Sequence, residues 1–196
     1  MYNKVNITEN HLQVLSLFTD GFDRSLYIRE VQRALKISPR TAQTILANLE
    51  GRGIIESKRR GKIVSYSLKR NEICRRFLVF CEQYKAISFL SENLMINEII
   101  EKVTPQIEGI GIIFGSYAKG INKPESDLDM FVIGKYNQKG IDKVSQMYGI
   151  DISVKCYPLG IFRKDLHRDI LTKEVLKSHV VFLNSEAFVK EVLSNG

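Results

Sequence analysis

Asp127 and Asp129 stand two residues apart and lead into the apolar run Met130, Phe131, Val132, Ile133. Alternate residues of an extended strand point to one side, so the two carboxylates are expected to project together. Carboxylates paired on one face suit a hard divalent cation, Mg²⁺ or Mn²⁺, which keeps several waters and accepts phosphate oxygens. Upstream, and separated from Asp127 by ten residues, Gly115 and Ser116 follow the apolar run Ile110, Gly111, Ile112, Ile113, Phe114. At a strand-to-helix junction such a pair offers an anion its backbone N–H groups, a hydroxyl and the helix N-terminus. A third acid, Asp151, falls in the alternating segment YGIDISVKCY, with Ile150, Ile152 and Val154 on the opposite face. A lone acid of this kind is commonly just solvated, but here a two-acid site already lies nearby in sequence. Cation and phosphate chemistry is the reading these types and spacings support.

Several elements must position these residues. A helix is expected from about Glu92 to Val103, then a buried strand over Ile110–Phe114, and a strand after Asp129. Ile141, Val144 and Tyr148 mark a helix, and so do Phe162, Leu166 and Ile170. Asp142, Asp165 and Asp169 lie in these helical patterns and read as surface residues. A last strand over His179–Leu183 and a helix over Ser185–Leu193 complete a small mixed α/β domain. His11, His167 and His179 lack metal-ligand spacing and read as structural or solvated. Cys74, Cys81 and Cys156 read as reduced core residues.

The composite of Gly-Ser, ten residues, Asp-x-Asp and a later strand Asp resembles the polymerase-beta-type nucleotidyltransferase superfamily, specifically its small prokaryotic minimal members. The resemblance covers about residues 94 to 196. It implies that Gly115 and Ser116 hold the triphosphate of an NTP, that Asp127 and Asp129 bind the metals bridging it, and that Asp151 completes the nucleophile's metal site. Lys119 stands where many relatives carry arginine; it is either a phosphate contact or a solvated helix lysine. The chemistry implied is two-metal transfer of a nucleoside monophosphate to a hydroxyl.

The first third of the chain has a different character. Residues 1–70 hold 13 Lys+Arg against 6 Asp+Glu, while residues 71–196 hold 16 of each, so the whole net charge of +7 sits in the first part. Such asymmetry points to a polyanion partner, although a solvated basic surface produces the same count. Leu12, Val14, Leu15 and Phe18 mark a first helix ending at Asp20-Gly21; Ile28, Val31, Ala34 and Leu35 mark a second, ending near Ile37. Ser38-Pro39 then reads as an N-cap with proline at the first helical position. In the third helix Ala42, Ile45, Leu46 and Leu49 face inward, which leaves Arg40, Gln43, Thr44 and Ala47 outward. Gly51 and Gly53 close it, and IIESKRRGKIVSYSL reads as a hairpin with Arg59, Arg60 and Lys62 around Gly61. Residues 7 to 70 thus resemble the winged helix-turn-helix of prokaryotic regulators. That resemblance implies double-stranded DNA as partner, with the third helix in the major groove and the wing on phosphates or in the minor groove. Such domains also serve as protein-interaction modules.

The expected organisation is therefore an α/β (α+β) chain: a winged helix-turn-helix over 1–70, a helical connector over 71–92 and a nucleotidyltransferase domain over 93–196. The connector, a helix from Asn71 to Leu90, carries the stripe Ile73, Phe77, Phe80, Cys81, Tyr84 and Ile87, which either packs within the chain or pairs in a homodimer. No stretch approaches the roughly 20 apolar residues of a membrane span and the start lacks a signal-peptide pattern, so the expected location is cytoplasmic. The function expected is DNA-binding nucleotidyl transfer. The rivals are a nucleotide-responsive regulator without catalysis, and an antitoxin-like protein that modifies a partner protein and represses its own operon.

Overall fold

A computed structural model describes residues 6–166 and 168–194. The chain divides into two compact units, Met1–Cys81 and Glu82–Gly196.

In the first unit α1 (Glu9–Thr19) buries Leu12, Val14, Leu15 and Phe18, and the chain turns away at Gly21, whose φ is +109°. A two-residue strand β1 (Leu26–Tyr27) leads into α2 (Ile28–Leu35), which ends at Lys36 in the left-handed region. Helix α3 (Pro39–Gly51) starts where Ser38 Oγ accepts the Thr41 N–H at 3.0 Å, as the Ser-Pro pair predicts. Strands β2 (Ile55–Arg60) and β3 (Ile63–Leu68) form an antiparallel hairpin, and β1 pairs with β3 through Leu26↔Tyr66, giving the order β1-β3-β2. The α2 stripe is narrower than its sequence suggests: Val31 is buried, Leu35 half-buried and Ala34 exposed. With the short β1 at its start and a left-handed cap at its end, α2 has little more than two turns in which to bury a face. His11 is structural, its Nδ1 accepting from the Thr8 N–H at 3.3 Å at the start of α1.

Helix α4 (Glu72–Glu92) contains the boundary between the units, at Cys81/Glu82. It begins where Asn71 Oδ1 accepts the Cys74 N–H. Its buried positions are Cys74, Leu78, Cys81, Glu82 and Ala86, so that of the expected stripe Cys81 alone is buried. Ile73, Phe80 and Ile87 are 44, 52 and 65% exposed, with Phe77 and Tyr84 half-buried. The inward face is built from smaller side chains and is rotated by about one residue, some 100°, from the aromatic one.

After the last part of α4 the second unit continues with α5 (Leu94–Val103), a short 3₁₀ turn and β4 (Ile107–Ile113). There follow α6 (Gly115–Ala118), β5 (Leu128–Tyr136), α7 (Gln138–Tyr148) and β6 (Ile152–Tyr157). The rest comprises α8 (Leu159–Asp165), α9 (Ile170–Lys177), β7 (Val180–Leu183) and α10 (Ser185–Ser194). The sheet runs β6-β5-β4-β7, with β5 and β6 parallel and the other pairs antiparallel. Parallel neighbours need a crossover, and α7 supplies it. On one face Ile99 and Val103 of α5 and Ile141 and Val144 of α7 pack with Ile113, Leu128 and Met130. On the other, Phe131 meets Phe114, Tyr157 and Phe162 at ring separations of 6.4, 5.1 and 6.2 Å. The architecture is mixed α/β, of the α+β kind.

The helical pattern through Phe162, Leu166 and Ile170 is in fact two helices. Asp169 is the N-cap of α9, accepting the Thr172 N–H at 2.7 Å and its hydroxyl at 2.9 Å, and these bonds hold its carboxyl below the usual aspartate range. It is thus a cap rather than a mere surface acid, and Ile170 is left 83% exposed. Asp142 is exposed and Asp165 half-buried. His179 is buried and structural, with Nε2 3.1 Å from Lys85 Nζ and 3.3 Å from Glu82 Oε1. His167 lies outside the described residues. None of the three cysteines is in a disulfide; Cys74 and Cys81 are buried and Cys156 is half-buried. Among the described residues no helix is long and apolar enough to cross a membrane.

Candidate functional site

Strand β4 delivers the chain to Phe114, whose N–H donates to the Asp129 carbonyl at 3.0 Å, and so pins the β4–α6 junction beside the start of β5. Gly115 then takes φ +72°, and a Cβ there would collide with the Asp129 carboxylate. Two separate constraints, left-handed backbone and close approach, therefore require glycine at this position. Ser116 is half-buried, and its hydroxyl makes no hydrogen bond among the described residues, so it is free to meet a ligand. Helix α6 is a single turn. Its macrodipole is correspondingly small, and anion binding here would draw on the unpaired N–H groups of that turn and the Ser116 hydroxyl more than on a helix dipole.

Asp127 is exposed, just ahead of β5, and Asp129 is half-buried within it. Burial pushes the Asp129 carboxyl above the usual aspartate range, and the charges of Asp127 and Glu174 push the same way; Lys155 and Lys119 oppose them. The charge of Asp127 thus reaches its Asp-x-Asp partner. Asp151 is exposed and immediately precedes β6; its carbonyl accepts the Leu128 N–H at 2.8 Å. The parallel register Leu128↔Ile152 sets Asp151 beside Asp127 at the N-terminal ends of adjacent strands. Both line a cleft of about 290 Å³ with Met95, Glu125 and Tyr148. Asp127 is the shared member, coupled to Asp129 on one side and facing the cleft with Asp151 on the other. Among the described residues no three acids, histidines or cysteines gather closely enough to enclose an ion. Lys119 is exposed and bound to Glu174 of α9, Nζ to Oε1 at 3.0 Å.

Residues 96–183 match the family model of the nucleotidyltransferase domain. The matched span contains Gly115, Ser116, Lys119, Asp127, Asp129 and Asp151, and the match supports nucleotidyl transfer as the generic chemistry of this part of the chain. No curated protein matches the sequence. Among solved structures, that of TrmBL2, an archaeal chromatin protein described as showing a novel mode of DNA binding, is similar at 12% identity, covering 86% of this chain and 70% of its own, with a TM-score of 0.30. A superposition that loose says nothing about what this chain binds.

Outside the nucleotidyltransferase match, the first unit carries the second candidate surface. Arg40, Gln43, Thr44 and Ala47 are all exposed along α3, opposite buried Ala42, Ile45, Leu46 and Leu49. The Thr44 hydroxyl donates to the Arg40 carbonyl at 2.9 Å. The hairpin turns over Gly61-Lys62, with Gly61 at φ +61° and Arg59, Arg60 and Lys62 exposed. A groove of about 720 Å³ is lined by Lys62 and Ile63 together with Tyr27, Arg29 and Arg33.

Four charged residues belong to these surfaces that sequence reasoning missed. Arg29 and Arg33 are brought beside the wing by the β1–β3 pairing, and Lys155 and Glu174 are brought to Asp129 by the β5–β6 register and by α9. No local motif marks any of them. The one available signal was alternation: Asp151, Ser153 and Lys155 share a strand face.

Proposed function

We propose that the chain is a DNA-binding nucleotidyltransferase that moves a nucleoside monophosphate from an NTP to a hydroxyl acceptor. The observation that carries this reading is the Asp129 carboxylate, raised by burial and by the charge of Asp127 and packed against Gly115 beside a free Ser116 hydroxyl, inside a nucleotidyltransferase match.

The donor set fits Mg²⁺ or Mn²⁺. Two carboxylates held in repulsion, one of them partly buried, are relieved by a hard dication, and their small number leaves room for waters and phosphate oxygens. Asp127 and Asp129 would hold that ion, and Asp127 with Asp151 a second on the acceptor side. When bound, the ions neutralise the triphosphate and the departing pyrophosphate and lower the pKa of the attacking hydroxyl. The protein's own part is positional. The N–H groups of the Gly115 turn and the Ser116 hydroxyl bind phosphate oxygens, and the cleft by Asp151 admits the acceptor. The acceptor oxygen bonds to the α-phosphorus, the bond to the α,β-bridging oxygen breaks, and pyrophosphate leaves as the hydroxyl proton passes to solvent water in the cleft beside Asp151.

The first unit binds duplex DNA in this reading, with Arg40, Gln43 and Thr44 against base edges and Arg59, Arg60 and Lys62 on the backbone. Its support is the charge excess and the outward placement of all six residues. A homodimer through α4 fits as well. Ile73, Phe77, Phe80, Tyr84 and Ile87 follow alternating spacings of four and three, the repeat that lets a second copy of the same helix interlock. A sensor that binds nucleotide without transfer is the second reading, favoured by the lack, among the described residues, of three acids gathered closely enough to enclose an ion.

The deciding experiment incubates the protein with each NTP, Mg²⁺ and a native cell extract, and reads products by mass spectrometry. A nucleotidylated molecule, small or protein, that disappears with Asp127→Asn supports transfer. NTP binding with no product in any extract supports the sensor, and no NTP binding rejects both.

A further inference from the structure

Two lysines flank Asp129, and the structure distinguishes them. Lys119, at the end of the Gly115 turn, has its charge engaged by Glu174 at 3.0 Å. To reach a phosphate it would leave Glu174 uncompensated beside an incoming polyanion. Lys155 is different. It lies on β6 opposite Phe131, one alternate position beyond the Asp129↔Ser153 pair, and so shares the sheet face of Asp129. It is the exposed residue of a strand whose other members are half-buried. Among the described residues it forms no ion pair. Phe131, its register partner on β5, is fully buried and packed with Tyr157 of the same strand as Lys155 and with Phe162.

We propose that Lys155, and not Lys119, is the cation that receives the phosphates of the nucleotide, with Glu174 withholding Lys119 from that role. This rests on the nucleotidyltransferase reading and names one of its binding residues. A triphosphate lodged at Asp127, Asp129 and Ser116 brings several negative oxygens to the sheet face on which Lys155 stands. An unpaired ammonium there gains a charge-assisted contact without giving one up. The charge of Lys155 is already felt at Asp129, which places it within electrostatic reach of the site.

The test uses the full chain and titration calorimetry with each ribonucleoside triphosphate in Mg²⁺, then with the matching monophosphate. Lys155→Ala should weaken triphosphate binding about 10-fold or more, the size of a lost charged hydrogen bond. It should weaken monophosphate binding much less, so that the gap between the two narrows. Lys155→Arg should recover most of the loss, and Lys119→Ala should change affinity no more than about 2-fold. Because Lys155 is exposed, an unchanged melting curve is expected and separates lost contact from lost fold. Unaltered triphosphate affinity in Lys155→Ala, or a larger loss in Lys119→Ala, overturns the inference while leaving the nucleotidyltransferase reading intact. A wild-type chain that binds no nucleotide removes both.

Discussion

Replacing Gly115 by alanine should damage the second unit in two additive ways that a mutant cycle can separate. The first is backbone strain: a side chain at φ +72° costs about 1–2 kcal/mol relative to glycine. The second is overlap of the new Cβ with the Asp129 carboxylate, which must be displaced from beside the turn; overpacking of this kind costs about 1–3 kcal/mol. A combined loss of about 2–5 kcal/mol is a large share of ordinary domain stability. The assay is native-state hydrogen exchange of the β4 and β5 amides, which reports on this unit even though the full chain has two. At about 1.4 kcal/mol per tenfold, the slowest of these amides should exchange roughly 30-fold to a few thousand-fold faster. In an Asp129→Ala background the same substitution should cost little more than the backbone part, the Cβ of residue 129 at 3.2 Å being the contact that remains. Exchange within about 3-fold of wild type would refute the reasoning. An equal loss in both backgrounds would retain the strain but refute the contact with Asp129.

Nucleotide affinity should collapse in EDTA and in Asp127→Asn, whereas Asp151→Asn should keep much of the binding and lose transfer; calorimetry plus product analysis decides this, and equal affinity in EDTA and Mg²⁺ would reject the metal assignment. Because the Asp129 carboxyl is raised in the folded protein, its ionisation opposes folding: the stability it contributes is present below the ordinary aspartate range and lost as pH rises toward the raised native value. Metal-free Asp129→Asn should therefore gain stability relative to wild type across that window in urea titrations, and Mg²⁺ should shrink the difference. Replacing Arg59, Arg60 and Lys62 by alanine should weaken binding to any duplex and lower the salt slope by about three, while Arg40→Ala or Gln43→Ala should mainly relax sequence preference. Phe80→Asp should dissociate the α4 dimer in sedimentation, and a concentration-independent wild-type monomer would dismiss that dimer outright.

What the sequence made legible were features written in short spacings. The Ser38-Pro39 start, the inward stripe of α3, the hairpin around Gly61 and the strands framing Gly115 and Asp129 depend on neighbours a few residues away, so local pattern suffices. The features it concealed depend on partners far along the chain. Strand β1 is too short to show alternation and exists because Tyr66 lies opposite Leu26. On α4 two adjacent apolar stripes compete, and nothing local indicates that the one with Cys74, Leu78 and Cys81 turns inward while the more hydrophobic Phe80 and Ile87 stay out. Continuous helical periodicity through Leu166 and Ile170 concealed a break, because Asp169 gains more as a cap on Thr172 than as one residue of a longer helix.

The same division runs through the candidate site. The residues proposed to handle phosphate and metal, Gly115, Ser116, Asp127 and Asp129, stand out in the sequence by their spacing, because one turn and one strand hold them. The charges that tune them were not, since Lys155 and Glu174 come from β6 and α9. Their presence changes how the site works. With Asp127, Asp129 and Glu174 on one side and Lys119 and Lys155 on the other, the charges around Asp129 leave one net negative charge, and Lys119 is already paired with Glu174. An unaccompanied triphosphate would then meet two carboxylates with Lys155 as a counter-charge that forms no ion pair among the described residues, whereas a triphosphate carrying a dication meets them as ligands. Charge balance alone thus predicts that nucleotide and metal bind together: removing either should weaken the other by the same factor, as reciprocal linkage requires.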